Sequence, residues 1–293
     1  MSRAVVVGAV NMDICGRPFS PLIMRDSNPG LITMTPGGVG RNIAHDLRLL
    51  GVEVTFITAL GDDVYAKRIL ASCEELGFDM SLARHVPGGR TSSYMYITDP
   101  SGEMTLAVCD TDVAGTLNRE YLASCLGVMN RADAVVIDGN LTGDSIEFIA
   151  KNSTAPIYSD PVSVTKADRL RPALPYLAAF KPNELEAMHL TGEATPEAAA
   201  RSLVALGMER AFVTLGANGI IAADRNELIC LPCEPTQIVN TTGAGDAATA
   251  AVIWGGINGL SLRQTARAAM IAGALAIGCE GTNNPELCAE RLQ

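Results

Sequence analysis

Asn240-Thr241-Thr242-Gly243-Ala244-Gly245-Asp246 joins a glycine-rich turn to a helix start and places one acid just inside it. Gly243 and Gly245 can take backbone angles closed to other residues, so successive N–H groups can converge on one point with no side chain between them. The small apolar run Ala247 to Trp254 reads as the helix that follows. It sets those N–H groups at the positive end of a helix dipole, where anionic oxygens bind. Asp246 is the only ionisable group between Asn240 and Arg263, which makes it the candidate to accept a proton from a hydroxyl held nearby. The combination suits phosphoryl transfer. Two other readings stay open on this stretch alone. Gly243-x-Gly245-x-x-Ala248 satisfies a loose dinucleotide fingerprint, and a purely structural turn and cap would look the same. Against the first, the helix leads through Asn258-Gly259-Leu260 into another helix. A dinucleotide fold expects instead a strand ending in an acid about twenty residues on.

The 293 residues are 48% hydrophobic and 18% charged, enough for one large α/β core spanning 1–293. The net charge of -10 and scattered basic residues give no electrostatic footprint for nucleic acid or an anionic membrane surface. A small phosphate-bearing ligand can still be held by backbone dipoles. The eight cysteines form no scaffold pattern. Cys73, Cys109, Cys125 and Cys279 sit in apolar runs, where a reduced thiol acts as a small hydrophobe, so a cytoplasmic location is expected. Cys230-Leu231-Pro232-Cys233 has no second pair and no strand-to-helix context, so it reads as strand-end packing. The apolar run Ala4 to Val10 is too short to span a bilayer and reads as a buried strand.

Apolar β-branched runs at Ala4–Val10, Val52–Thr58, Ala134–Ile137, Ile157–Ser159 and Ala211–Leu215 alternate with helical stretches. Helices fit at Gly40–Leu50, Val64–Leu76, Ser145–Asn152, Glu184–Leu190, Pro196–Leu206, Ala244–Trp254 and Ser261–Ile277. This alternation predicts a mainly parallel sheet covered on both faces. In the last helix Leu262, Ala266, Ala269, Gly273 and Ala276 form a stripe expected to lie on the sheet. Two stretches, about 12–36 and 90–110, carry short strand-like alternation broken by turns such as Asp99-Pro100-Ser101-Gly102. They predict a small β-sheet standing off the main one, serving as a lid, a dimerisation arm, or both.

Pro36-Gly37-Gly38-Val39-Gly40-Arg41-Asn42-Ile43-Ala44 opens a second helix, and Gly8-x-x-Asn11-x-Asp13 follows the first strand. Both clusters fall at strand C-terminal ends, where open α/β sheets bind ligands. A carboxylate and two amides, from Asp13, Asn11 and Asn42, suit paired sugar hydroxyls. With these residues in view the chain resembles the ribokinase-like, or PfkB, family of carbohydrate and nucleoside kinases. The resemblance covers nearly the whole length. Its two signatures match Gly37-Gly38-x-Gly40-x-Asn42 and Thr241-Thr242-Gly243-Ala244-Gly245-Asp246, in order. Lys181-Pro182-Asn183-Glu184-Leu185-Glu186 is similar to the family's Asn-x-x-Glu element, and Val213 to Gly219 to its nucleotide-binding strand and turn. Asp26-Ser27-Asn28-Pro29-Gly30, Gly102-Glu103-Met104, Asp160-Pro161-Val162-Ser163 with Lys166, and Cys279 to Pro285 are similar to the subfamily that phosphorylates pseudouridine.

The resemblance implies a three-layer α/β/α fold with a central, mainly parallel sheet and a β-sheet lid. It implies ATP as cosubstrate, Mg2+ as cofactor, a nucleoside substrate and a homodimer through the lid. Asp246 would be the catalytic base, with Gly243, Ala244 and Gly245 as anion donors. Asn11, Asp13, Gly38, Gly40 and Asn42 would hold the ribose, while Asp26, Ser27, Asn140 and Lys166 would address the base or close the pocket. Lys181, Asn183, Thr214, Gly216, Gly219 and Gly245 would face the nucleotide, and Asn183 and Glu186 the water shell of Mg2+. Asn240 stands where many family members carry an aspartate beside a monovalent cation, so K+ dependence is left open. A kinase of another nucleoside or sugar, and a catalytically silent nucleoside sensor, remain rival readings.

Overall fold

A computed structural model describes residues 1–234 and 236–293. The chain runs β1 (Arg3–Val7), β2 (Asn11–Pro18), β3 (Gly30–Gly37), α1 (Val39–Leu49), β4 (Glu53–Ile57), β5 (Ala59–Leu60), α2 (Val64–Glu75), β6 (Arg84–His85), β7 (Ser93–Thr98) and β8 (Met104–Asp110). It continues through α3 (Arg119–Met129), β9 (Ala134–Asp138), α4 (Gly143–Asn152), β10 (Ile157–Asp160), α5 (Val164–Ala167), β11 (Leu177–Phe180), α6 (Glu184–Thr191) and α7 (Pro196–Ala205). The last part is β12 (Arg210–Thr214), β13 (Ile220–Asp224), β14 (Leu228–Leu231), α8 (Ala244–Ile257) and α9 (Leu262–Ile277).

The main sheet has eight strands in the order β14-β13-β12-β11-β10-β9-β1-β4. From β4 to β12 the pairing is parallel, and β13 and β14 add an antiparallel edge. Strand alternation divides the core into two layers. Ala4 and Val6 of β1 face one side with Ile43 and Leu47 of α1, Ile69 of α2 and the inner faces of α8 and α9. Val5 and Val7 face the other side with Leu122 of α3, Ile149 of α4, Leu190 of α6 and Leu203 of α7. The three-layer α/β/α expectation holds.

Four strands in the order β3-β2-β7-β8 form the expected second sheet, with Gly102 in the turn between β7 and β8 at φ 99°. Met12, Ile14 and Met34 tie its base to the core, whereas Ile32, Met95, Leu106 and Val108 are exposed.

Three expectations need correction. The α9 stripe packs chiefly on α8 rather than on the sheet: Thr265 lies against Gly255, and Gly273 against the Ala244 carbonyl. Only part of α9 reaches β13. The cause is the all-round apolar character of α8, where every residue from Ala247 to Gly255 is buried and needs cover on both sides. Second, Cys109 is exposed on β8, although Cys73 and Cys125 are buried as expected. Third, strands β11, β13 and β14, whose runs are short or alanine-rich, and helix α3 were not read from the sequence. Among the described residues, no helix is long and apolar enough to cross a membrane.

Candidate active site

The chain leaves β1 toward β4 on one side and later returns to β9 on the other, so the C-terminal ends of β1 and β9 bound a topological switch point. A crevice opens at such points. Asp138 ends β9 and is 1% exposed; its carboxylate accepts from the Ala9 N–H at 2.9 Å and the Asn140 N–H at 2.8 Å. The Gly40 backbone packs directly on Gly8, bringing the start of α1 to the same place. Gly38, at φ 102°, caps α1 where any Cβ would meet the Ala9 carbonyl at 2.7 Å and Asn11 Oδ1 at 2.9 Å. Only glycine fits there.

Over this turn Asn11 Nδ2 donates to Asp13 Oδ1. Burial pushes the Asp13 carboxyl up to about 6, against the Asn11 hydrogen bond and the nearby Arg41 guanidinium. Arg41 is itself buried and donates to Ser72 Oγ at 2.7 Å. Amide, carboxylate and glycine backbone of the Gly8–Asp13 and Gly37–Asn42 clusters therefore converge at one point. On the next helical turn Asn42 Nδ2 donates to Asp246 Oδ2 at 2.8 Å, joining the two glycine clusters across 204 positions of sequence.

Gly243 caps α8 in the left-handed region at φ 85°, wedged against the Thr282 carbonyl. The first turn of α8 leaves the Ala244, Gly245 and Asp246 N–H groups ahead of the first intrahelical bond, which runs from the Ala247 N–H to the Gly243 carbonyl. Burial raises the Asp246 carboxyl from 3.8 to about 7; the neighbouring Asp160 adds to this, while the Asn42 hydrogen bond and Lys181 oppose it. A carboxyl that titrates near neutrality can take a proton from an alcohol and return it. Asp160 ends β10, accepts from Thr249 Oγ1 at 2.7 Å and lies 3.5 Å from Lys181 Nζ, all three side chains being buried.

The first turn of α8 also borders a cavity of about 600 Å³ lined by Asn183, Thr214, Gly216, Gly219, Gly245 and Ala248, among others. Lys181 stands at its edge, with Nζ close to Gly245. Asn183 caps α6 in a reciprocal box: its side chain accepts from the Glu186 N–H at 2.9 Å, and Glu186 Oε2 accepts from the Asn183 N–H at 2.8 Å. One oxygen of Glu186 is thus committed to the helix. Burial raises the Glu186 carboxyl above its ordinary range.

Asn140 and Lys166 meet, Lys166 Nζ donating to Asn140 Oδ1 at 2.5 Å just beyond Asp138. Asp26 and Ser27 are not brought to this cluster. Both are exposed in the loop between β2 and β3, and their hydrogen bonds stay inside that loop. Asn240 Oδ1 accepts from the Thr242 N–H at 3.0 Å and its Nδ2 donates to the Glu280 carbonyl at 3.0 Å, so the side chain braces the turn. Sequence reasoning passed over Asp138, Thr249 and Asp46, and met Asp160 only within the Asp160-Pro161-Val162-Ser163 resemblance, without a role at the site. The available signal was that β9, β10 and β11 are buried apolar strands each running into a charged residue, Asp138, Asp160 and Lys181.

Residues 1–288 match the pfkB family carbohydrate kinases. A pseudouridine kinase of Escherichia coli is 35% identical over 290 residues, covering 97% of this chain and 93% of that one. A ribokinase of Lactococcus lactis is 27% identical, covering 94% and 91%. An Arabidopsis thaliana ribokinase solved with ribose and ATP superposes with a TM-score of 0.86 at 22% identity, covering 100% of this chain and 99% of that one. The signature helices, the crevice they enclose and these likenesses agree: the chain belongs to the pfkB carbohydrate kinase family and is a phosphotransferase with an alcohol acceptor.

Proposed function

We propose that this kinase transfers the γ-phosphoryl group of ATP to the 5′-hydroxyl of pseudouridine, giving pseudouridine 5′-phosphate and ADP. The observation that carries the reaction is the Asp246 carboxylate at the mouth of α8, held by Asn42 and raised to about 7. The likeness to a pseudouridine kinase over 97% of the chain supports the substrate.

In this reading Asn11 and Asp13 bind the ribose hydroxyls over the Gly38 and Gly40 backbone, and Asn42 holds both sugar and base catalyst. Asp246 accepts the 5′-hydroxyl proton as that oxygen attacks the γ-phosphorus in line. The N–H groups of Gly243, Ala244 and Gly245 face the charge that develops on the transferring group, and positioning supplies most of the rate. Thr214, Gly216 and Gly219 hold the nucleotide, with Lys181 near its phosphates. The donor set suits Mg2+: Glu186 keeps one oxygen free beside Asn183, and Mg2+ usually retains waters and takes one or two carboxylates plus phosphate oxygens. When bound, it neutralises charge on the β and γ oxygens. Asn140 and Lys166 close the base end. Asp26 and Ser27 would join only through movement of their loop, and the four-stranded sheet would act as lid and homodimer contact through its exposed apolar residues.

ADP release on adding pseudouridine, compared with uridine and ribose, tests the assignment. Turnover higher on ribose than on pseudouridine overturns the substrate, and no ADP with any of the three overturns the reaction.

A further inference from the structure

Asp46 lies one helical turn below Asn42 on α1 and is fully buried. A buried acid is costly unless it is paired or hydrogen-bonded. Its Oδ1 accepts from Asn283 Nδ2 at 2.9 Å, and the same amide donates to the Asn42 carbonyl at 3.0 Å. Asp46 Oδ2 and Asn42 Oδ1 are buried and have no hydrogen-bond partner among the described residues. Asn283 belongs to the loop after α9, whose neighbour Thr282 presses its carbonyl on Gly243 and whose Asn284 donates to the Leu275 carbonyl at 2.7 Å. One loop therefore touches the α1 turn bearing Asn42 and the α8 cap beside Asp246.

We propose that Asn283, seated on the buried Asp46, is a positioning residue for phosphoryl transfer: it locks the Asn42 turn of α1 and so aims the Asp246 carboxylate. A tie that merely anchored the loop would need neither a buried acid nor contact with the residue that bonds the base. Asn284 already fixes the loop to α9. The charged and titratable groups beside the pair are Arg41 and His45 on α1 and Asp246 on α8, and Asp246 in turn feels Asp138 and Asp160 at the ends of β9 and β10 and Lys181. Burial, opposed by the Asn283 bond and reinforced by Asp246, raises Asp46 well above its ordinary value. Burial thus favours the neutral form of Asp46, and an amide of the same shape is its conservative replacement.

The inference rests on Asp246 being the base of the proposed reaction. Its test is steady-state kinetics of pseudouridine-dependent ADP formation from about pH 6 to 9. Asn283→Leu and the near-isosteric Asn283→Asp are expected to lower kcat roughly 10- to 100-fold with KM for pseudouridine changed less than about threefold. Their acidic limb moves to higher pH, because a loosened Asn42 no longer lowers Asp246. Asp46→Asn keeps kcat within about threefold of the parent, while Asp46→Leu follows the Asn283 variants. Where Asn283→Leu fails to fold, Asn283→Asp decides. A folded Asn283→Asp enzyme with the parent's kcat and pH limb overturns the proposal, as does an Asp46→Asn enzyme as impaired as Asp46→Leu. A parent enzyme that forms no ADP with pseudouridine sinks the functional reading itself, a result distinct from either.

Discussion

Replacing Asp246 with asparagine should separate catalysis from stability. The substitution keeps the size of the side chain and removes the proton acceptor. A positioned general base contributes on the order of 10²- to 10⁴-fold, so kcat should fall by about that factor while KM for pseudouridine moves little. Stability should move the other way, and by an amount that depends on pH. The Asp246 carboxyl titrates at about 7 in the folded chain against 3.8 for an ordinary aspartate, burial being the largest cause. Because the folded value is the higher one, the favourable contribution of the bound proton is complete below about pH 4 and lost as pH rises through about 7. At about 1.4 kcal/mol per pH step, the raised carboxyl lowers stability relative to acid pH by roughly 4 kcal/mol at pH 8.5, where it is ionised in the folded chain, and by roughly 2 kcal/mol at pH 5, where only the unfolded chain has lost the proton. Water in the crevice and side-chain relaxation should halve that difference to about 1 kcal/mol, or ~3 °C in Tm. Melting curves of both proteins at about pH 5 and 8.5 measure it. An asparagine variant with near-normal turnover, or a Tm difference that does not grow with pH, would refute the reasoning.

Asn42→Ala removes the hydrogen bond that lowers Asp246, so the acidic limb of the parent's kcat profile, expected near pH 7, should shift upward and kcat should fall roughly 10-fold. An unmoved limb in a pH-rate series would show that Asn42 does not tune the base. Gly243→Ala forces a Cβ into the Thr282 carbonyl at φ 85°; loss of ADP formation and a Tm drop worth about 1–3 kcal/mol are expected, and unchanged kinetics would exclude the turn from the reaction. Exchanging K+ for a large organic cation should change kcat less than about twofold, because the Asn240 amide itself bridges the turn to Glu280. A K+ titration that restores activity by an order of magnitude would contradict this.

The glycine clusters were legible because their constraint is local. A left-handed cap at Gly243 and a Cβ-free contact at Gly38 must be glycine whatever surrounds them, so the requirement is written into adjacent letters. The alternation of β-branched runs with helices was legible for the same reason, since each strand must be apolar on both faces to sit inside three layers. Boundaries followed the ligand side instead of hydropathy: the run Ala4–Val10 stops being strand at Val7, where the backbone turns beneath α1.

What the sequence hid was produced by register between distant segments. Asn42 and Asp246 were each recognisable, but nothing along the chain says that one amide bonds the other's carboxylate. Asp46 and Asn283 stand 237 positions apart; Asp46 lies in no motif, and Asn283 only in the Cys279–Pro285 run, whose resemblance assigns it no role. Asp138, Asp160 and Lys181 occupy an intermediate case. Each is a charge following a run too apolar to tolerate it, and an unpaired charge at that depth would cost several kcal/mol. Three such residues on three strands that pair as neighbours in a parallel sheet must share one end of it. That end is where the helix dipoles also point their N–H groups, so the charges and the anion cradle were bound to meet. A sequence reading that asks which buried strands end in a charge, before asking which motifs are present, would have placed these three groups beside Asp246.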